Sequence, residues 1–83
     1  MKTAGTPTLN ALHAGESATI LALHASAELH RRLAALGLRV GKKVRILRRG
    51  RFAGPLHVRV GTTDLMLRTS DASCIEVQRS HKL

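Results

Sequence analysis

Cationic side chains are the residues of this sequence best suited to do chemistry. Between Leu29 and Thr63 there are ten lysines and arginines and no acidic residue, whereas all five acids of the chain lie outside this stretch. The 83-residue chain carries a formal charge of +9. Such a surplus accelerates encounters with anionic partners, so it predicts binding to an acidic protein surface, an anionic membrane face or nucleic acid. The ten residues are Arg31, Arg32, Arg39, Lys42, Lys43, Arg45, Arg48, Arg49, Arg51 and Arg59.

The segment Arg48-Arg49-Gly50-Arg51 has a composition that could hold phosphates in a turn. Single-strand binders built on small barrels, however, stack bases on aromatic side chains, and Phe52 is the only aromatic residue here. Nucleic acid is therefore the disfavoured alternative. A solvated basic face that only keeps the protein soluble is a further alternative.

The five histidines and Cys74 are the residues that could bind a metal. Structural zinc ligands usually come in close pairs, and these residues are scattered singly, so we expect solvated surface histidines and no required cofactor. One alternative stays open, a weak or intermolecular divalent-metal site built from His24, Glu28, His30 or His81. For Cys74 we expect a small, buried or half-buried strand residue.

Length and motifs favour one small domain that is not an enzyme. No phosphate-binding loop, HExxH, CxxC or GxSxG motif is present, and the few acids show no paired arrangement for acid–base catalysis. The N-terminal residues lack the apolar run of a secretion signal, and no stretch approaches the roughly 20 apolar residues of a membrane span. With a single cysteine, the sequence indicates a soluble, cytosolic protein.

One helix and one strand are predicted in the first half. Ser17 to Leu23 has the length of a half-buried strand. Ser26 is a suitable N-cap for a helix over about Ala27 to Leu36, and Gly37 a suitable C-terminal stop. Leu29, Leu33 and Leu36 fall on one face of that helix, which must pack on a sheet.

Four further strands are predicted by the alternation of polar and apolar residues at 43–46, 56–60, 65–68 and 74–78. Glycines and Pro55 separate them, so we predict a mainly β fold, a small, partly open barrel of about five strands with one short inserted helix at one end. The predicted core is Ile20, Leu29, Leu33, Leu36, Val44, Ile46, Leu56, Val58, Val60, Leu65, Leu67, Ile75 and Val77. The predicted outward residues are Arg45, His57, Arg59, Arg68 and Glu76.

The order and spacing of these residues resemble the FeoA family, the small ferrous iron transport protein A. Arg-Leu-Ala-Ala-Leu-Gly-Leu-Arg-Val-Gly at 32–41 carries the first part of the resemblance. Gly-Pro-Leu-His-Val-Arg-Val at 54–60, Leu-Met-Leu-Arg at 65–68 and Ala-Ser-Cys-Ile-Glu-Val at 72–77 carry the second. The resemblance divides the chain into a flexible segment (1–8), an FeoA-like domain (9–78) and a basic tail (79–83). Val40 departs from it, because many relatives have proline there.

The resemblance implies an SH3-like barrel in the cytoplasm, without enzymatic activity, that assists the membrane ferrous iron transporter FeoB by contacting its cytoplasmic portion. The same module forms the C-terminal domain of metal-dependent repressors of the DtxR class, so a metal-responsive regulator is an alternative. A free-standing chain of this length favours the transport accessory. No small-molecule substrate is expected, and pairing of edge strands would give a weak homodimer.

For partner binding we predict exposed basic residues with two apolar anchors: Arg45, Arg48, Arg49, Arg51, Phe52 and Met66. Two of these predictions have structural alternatives. Phe52 would more often pack over the barrel mouth, and Arg48 and Arg49 would guard an edge strand against pairing.

Overall fold

A computed structural model describes residues 6–52 and 54–80. Residues 1–5 of the predicted N-terminal segment (1–8) and residues 81–83 of the predicted tail (79–83) lie outside the described residues. The strands are β1 (Ser17–Leu23), β2 (Lys43–Arg49), β3 (Leu56–Val60), β4 (Thr63–Leu67) and β5 (Ile75–Arg79). The helices are α1 (Ala27–Ala35) and the single turn α2 (Thr69–Ala72), and a 3-10 helix covers Leu9–Ala11. The sequence predicted neither of the two short helices.

The five strands form one open antiparallel sheet in the order β4-β3-β2-β1-β5. The predicted fold class, mainly β with five strands and one inserted helix, is confirmed. In the strand order β2 lies between β1 and β3, but its pairing with β1 covers only Lys43 to Arg45, so Arg48 and Arg49 lie beyond the part of β2 that is paired on both sides. Among the described residues, no helix is long and apolar enough to cross a membrane.

The core lies on the inner face of the sheet. Its buried apolar residues are Leu9, Leu12, Ala18, Ile20, Leu33, Leu38, Val44, Ile46, Leu56, Val58, Val60, Leu67, Ala72, Ile75 and Val77. Leu29 and Leu65 are partly buried and pack against them. Leu36 was expected in the core, but 41% of its surface is exposed, so that prediction is wrong.

The way α1 ends explains why Leu38 replaces Leu36 in the core. The helix begins as predicted, with the Leu29 N–H donating to Ser26 Oγ at 3.2 Å. At its end, Gly37 has a φ of +96°, and its N–H donates to the Ala34 carbonyl at 3.0 Å. The Leu38 N–H donates to the Leu33 carbonyl at 2.9 Å. These two bonds form a Schellman motif, which turns Leu38 back onto Leu33.

Two bulges set which side chains face out. In β2, Ile46 pairs with Val58 and Arg48 pairs with His57, so Leu47 is an extra residue. An extra residue reverses the alternation that follows it. Arg48 therefore lies on the outer face with His57, while Arg49, paired with the buried Leu56, lies on the inner side. A similar bulge at Leu21 interrupts the pairing of β1 with β5.

Candidate functional site

A basic groove crosses the outer face of β1, β2 and β3. It is lined by Ser17, Lys43, Arg45, Arg59 and Gly61 and has a volume of about 300 Å³. The sheet register creates it, because Ser17 pairs with Arg45, which in turn pairs with Arg59. Lys43 lies two residues before Arg45 and so shares its face. Three cationic side chains thus converge on one open surface.

Asp64 holds one of these cations in place. Arg59 Nε donates to Asp64 Oδ1 at 2.6 Å, and Arg59 Nη2 donates to Oδ2 at 3.2 Å. The hydrogen bond from Arg59 lowers the pKa of the Asp64 carboxyl, and His57, with Nε2 at 3.5 Å from Oδ2, contributes in the same direction. The same hydrogen bond raises the pKa of Arg59. Both groups are therefore charged at neutral pH, and Arg59 has a defined orientation.

Among the described residues, the two other cations of the groove, Lys43 and Arg45, have no acidic partner. Six ion pairs lie within the described ranges, and they connect Glu16 with Arg79 and His13, Asp71 with Arg32, Glu76 with His24, and Asp64 with Arg59 and His57. None of them involves Lys43 or Arg45. The positive field on the outer face of β2 is therefore not cancelled by the protein's own acids.

The predicted partner-binding residues lie in three places. Arg45 is in the groove, and Arg48 continues the same face toward His57, whose cross-strand neighbour Met66 is 59% exposed. Arg51 and Phe52 lie beyond them in the connection from β2 to β3. The structure thus brings Arg45, Arg48 and Met66 onto one face.

Phe52 does not pack over the barrel mouth. Its side chain is 97% exposed, and its φ is +54°. The base of the connection is tight: the Gly50 N–H donates to the Pro55 carbonyl at 2.8 Å, and a Cβ on Gly50 would lie 3.0 Å from the Gly54 backbone. With 97% of the residue's surface exposed, the apolar ring lies in solvent.

Arg49 is held by the protein's own backbone. Its Nη1 donates to the carbonyls of Asn10 at 2.8 Å and Leu12 at 2.5 Å, which attaches the segment around the 3-10 helix to the end of β2. The inner position created by the bulge makes this contact reachable. Arg49 is therefore a fold-stabilising residue, unlike its neighbour Arg48.

Three of the histidines lie beside three different acidic residues. His24 Nε2 is 2.8 Å from Glu76 Oε1, and this hydrogen bond is the main cause of a lowered pKa of Glu76, with Thr6 contributing next. His13 lies near Glu16 and His57 near Asp64. Over residues 6–52 and 54–80 no three His, Cys, Asp or Glu side chains are close enough to hold a metal ion. His81 lies outside the described residues, and Cys74 is half-buried just before β5.

Sequence reasoning missed four of the five groove residues: Ser17, Lys43, Arg59 and Gly61. Lys43 and Arg59 belong to the acid-free stretch, but these residues come together only through the cross-strand register, which composition does not reveal. That register is the pairing of β1 with β2 and of β2 with β3, and a separate turn, Val60-Gly61-Thr62-Thr63, joins β3 to β4. Gly61, with a φ of +63° at the first central position, was the available clue to a two-residue hairpin.

Comparisons with known proteins agree with the fold. A family model of the FeoA domain matches residues 8–79. No curated protein sequence matches the chain. The structure of Stenotrophomonas maltophilia FeoA complexed with zinc is 36% identical, with a TM-score of 0.74, covering 86% of this chain and 88% of that chain. That protein is described as a prokaryotic SH3 domain protein and a candidate activating factor of bacterial ferrous iron transport.

Two further structures extend the comparison. FeoA from Chlorobium tepidum is 32% identical, with a TM-score of 0.81, over 87% of this chain and 69% of its own. A manganese-dependent transcriptional repressor is 25% identical, with a TM-score of 0.83, over 96% of this chain but only 45% of its own length. The family match covers nearly the whole chain, which confirms the resemblance found in the sequence. The chain belongs to the FeoA domain family.

Proposed function

We propose that this chain is a non-enzymatic accessory of ferrous iron uptake that docks on the cytoplasmic part of a FeoB-type transporter and supports its assembly or activity. Membership of the FeoA domain family supports a role in ferrous iron transport. The description of the Stenotrophomonas maltophilia relative as a candidate transport activating factor is consistent with that role. On this proposal the chain works in the cytoplasm, at the inner face of the membrane.

The observation that carries the docking proposal is the unpaired basic surface of β2. Lys43, Arg45 and Arg48 lie on one face and have no ion pair within the described part of the chain. Opposite charge on a partner would increase the association rate and fix the orientation of docking. Met66, exposed on the same face, offers an apolar contact within this charged surface. These features fit an acidic protein surface with an apolar centre.

Nucleic acid binding is the second candidate, and one observation favours it. Phe52 is almost fully exposed next to Arg51, so a base could stack on the ring while the guanidinium contacts a phosphate. A single stacking platform contributes about 1–3 kcal/mol, which is small beside the several contacts that single-strand binders combine. Protein docking therefore remains the better supported function.

Binding of the purified chain to the cytoplasmic region of the FeoB transporter tests the proposal. Random RNA and DNA pools serve as parallel ligands at about 150 mM salt, where distant charges are screened. We expect saturable binding to the transporter region that Arg48→Glu weakens. Arg31→Glu, an equal charge change on α1, is the matched control and should have little effect. Arg49 is left unchanged because it stabilises the fold. Tight nucleic acid binding without transporter binding would contradict the proposal.

A further inference from the structure

We infer that the basic groove binds an acidic segment of a protein partner in extended conformation, with carboxylates on alternate residues. The inference rests on the proposed function only for the identity of the partner. The groove itself follows from the positions of Lys43, Arg45 and Arg59 on neighbouring strands.

Spacing along β2 defines the repeat of the ligand. Lys43 and Arg45 lie on one face, two residues apart, which corresponds to about 6.6–6.8 Å along a strand. In an extended segment, side chains that point to the same side repeat at the same distance. Carboxylates at positions i and i+2 of such a segment can therefore meet Lys43 and Arg45 together, whereas neighbouring carboxylates point to opposite sides.

Spacing across the sheet defines where a carboxylate is held. Arg45 and Arg59 are directly paired on adjacent strands, so two like charges face each other in the free protein. Such pairs are unfavourable, and an anion placed between them replaces repulsion with two attractions. The hydroxyl of Ser17, paired with Arg45 on its other side, adds a hydrogen-bond donor to the same row.

Asp64 prepares Arg59 for this contact. A guanidinium has five N–H donors, and the hydrogen bonds to Asp64 use Nε and one hydrogen of Nη2, so three donors stay available. The bidentate pair also fixes the side chain before the ligand arrives, which reduces the conformational entropy lost on binding. With Asp64 counted, Lys43, Arg45 and Arg59 leave a local charge of +2, since three positive charges meet one negative charge.

The shape of the groove favours a segment that lies across the face of the sheet. Residues Lys43 to Arg45 of β2 are paired with both β1 and β3, so a ligand cannot add there as a strand. At Gly61 no atom beyond its chain neighbours stands within 4 Å of the position a Cβ would take, so the groove is open at that end. Phe52 is not among the groove residues, so they offer carboxylates charge but present no aromatic ring on which a base could stack.

Fluorescence anisotropy with labelled peptides tests the inference. One peptide carries two aspartates at positions i and i+2, a second carries the same two at contiguous positions i and i+1, and a third has asparagine in their place. We expect the alternating peptide to bind tightest and the asparagine peptide not to bind. Arg45→Gln should weaken the alternating peptide about three- to tenfold, as for loss of a well-formed charge pair. Arg31→Gln, which makes the same change in net charge on α1, should change the affinity less than about twofold.

Three results would overturn the groove as the site. The first is that Arg45→Gln and Arg31→Gln change the peptide affinity equally. The second is equal affinity for the alternating and contiguous peptides. The third is that an RNA oligonucleotide displaces the labelled alternating peptide at a lower concentration than the unlabelled alternating peptide does. Circular dichroism of each variant verifies that it is folded. The peptide assay contains no transporter, so a negative result would contradict the groove as the site without contradicting the proposed function. Conversely, transporter binding that Lys43→Gln with Arg45→Gln does not weaken would retain the proposed function and place the contact elsewhere.

Discussion

Replacing Arg49 with methionine should destabilise the fold, whereas the same change at Arg48 should not. The two residues are adjacent arginines, so the sequence does not distinguish them, and both are exposed at the end of β2. Only Arg49 donates to the backbone, to the carbonyls of Asn10 and Leu12. Methionine keeps most of the aliphatic length and removes the donors, so the pair of variants isolates these hydrogen bonds.

The magnitude follows from what each carbonyl loses. The bond to Asn10 is exposed, and water can replace the guanidinium there at little cost. The bond to Leu12 is partly buried, and leaving that acceptor without a donor costs about 1–3 kcal/mol. We therefore expect Arg49→Met to lower the unfolding free energy by about 1–3 kcal/mol and Arg48→Met to change it by less than about 0.5 kcal/mol.

Urea unfolding followed by far-ultraviolet circular dichroism measures this difference, since the chain has no tryptophan or tyrosine to report by fluorescence. A chain of this size has a urea m-value of about 1 kcal/mol per molar, so the midpoint of Arg49→Met should fall by about 1–3 M. Equal midpoints for the two variants would refute the assignment of Arg49 to the fold. Arg49 would then belong to the surface that is available to a partner.

Three other changes test the core, the exposed connection and the groove. Leu33→Ala should lower the unfolding free energy by about 2–5 kcal/mol, because Leu33 is 1% exposed at the centre of the core; a loss under about 1 kcal/mol in urea unfolding would remove it from there. Phe52→Gly should leave stability unchanged or raise it by up to about 1 kcal/mol, since the ring contacts solvent and glycine tolerates a φ of +54°; a clear fall in the urea midpoint would mean that the ring packs. Asp64→Asn should make stability less dependent on acid pH. The hydrogen bond from Arg59 lowers the pKa of Asp64 from its ordinary value of 3.8, so its contribution is present above that value and is lost as the pH falls through the folded-state pKa. Unfolding curves of both proteins between about pH 6 and 2 should therefore converge, and a constant gap would contradict the ion pair.

Local signals were enough to predict most of the secondary structure. Ser26 and Gly37 mark the ends of α1, and alternation marks β2, β3 and their neighbours. The helical period failed at Leu36 because Leu36 is the C-cap residue of α1 and lies outside its regular turns. The left-handed Gly37 that follows, predicted as the stop, turns Leu38 inward in its place. The sequence Leu36-Gly37-Leu38 is compatible with burial of either leucine, and only the geometry at the end of the helix decides between them.

The site was harder to predict because it depends on strand pairing. Arg48 and Arg49 are adjacent arginines, and only the bulge at Leu47 decides that the first faces out and the second binds the backbone. No residue type in β2 marks that bulge. The groove likewise requires Arg45 and Arg59 to be paired, a relation between residues 14 positions apart that the hairpin register creates. Composition predicted a basic surface, and the pairing determined which side chains form it.

Ferrous iron uptake in cells that contain the FeoB transporter but lack this chain tests the central claim most directly. The chain is supplied as wild type, as the Arg45→Glu and Arg48→Glu double variant, or as the Arg31→Glu control, at equal protein levels. We predict that wild type and control restore uptake of radiolabelled ferrous iron and that the double variant does not. Full uptake with the double variant, in folded form, would contradict docking through the outer face of β2.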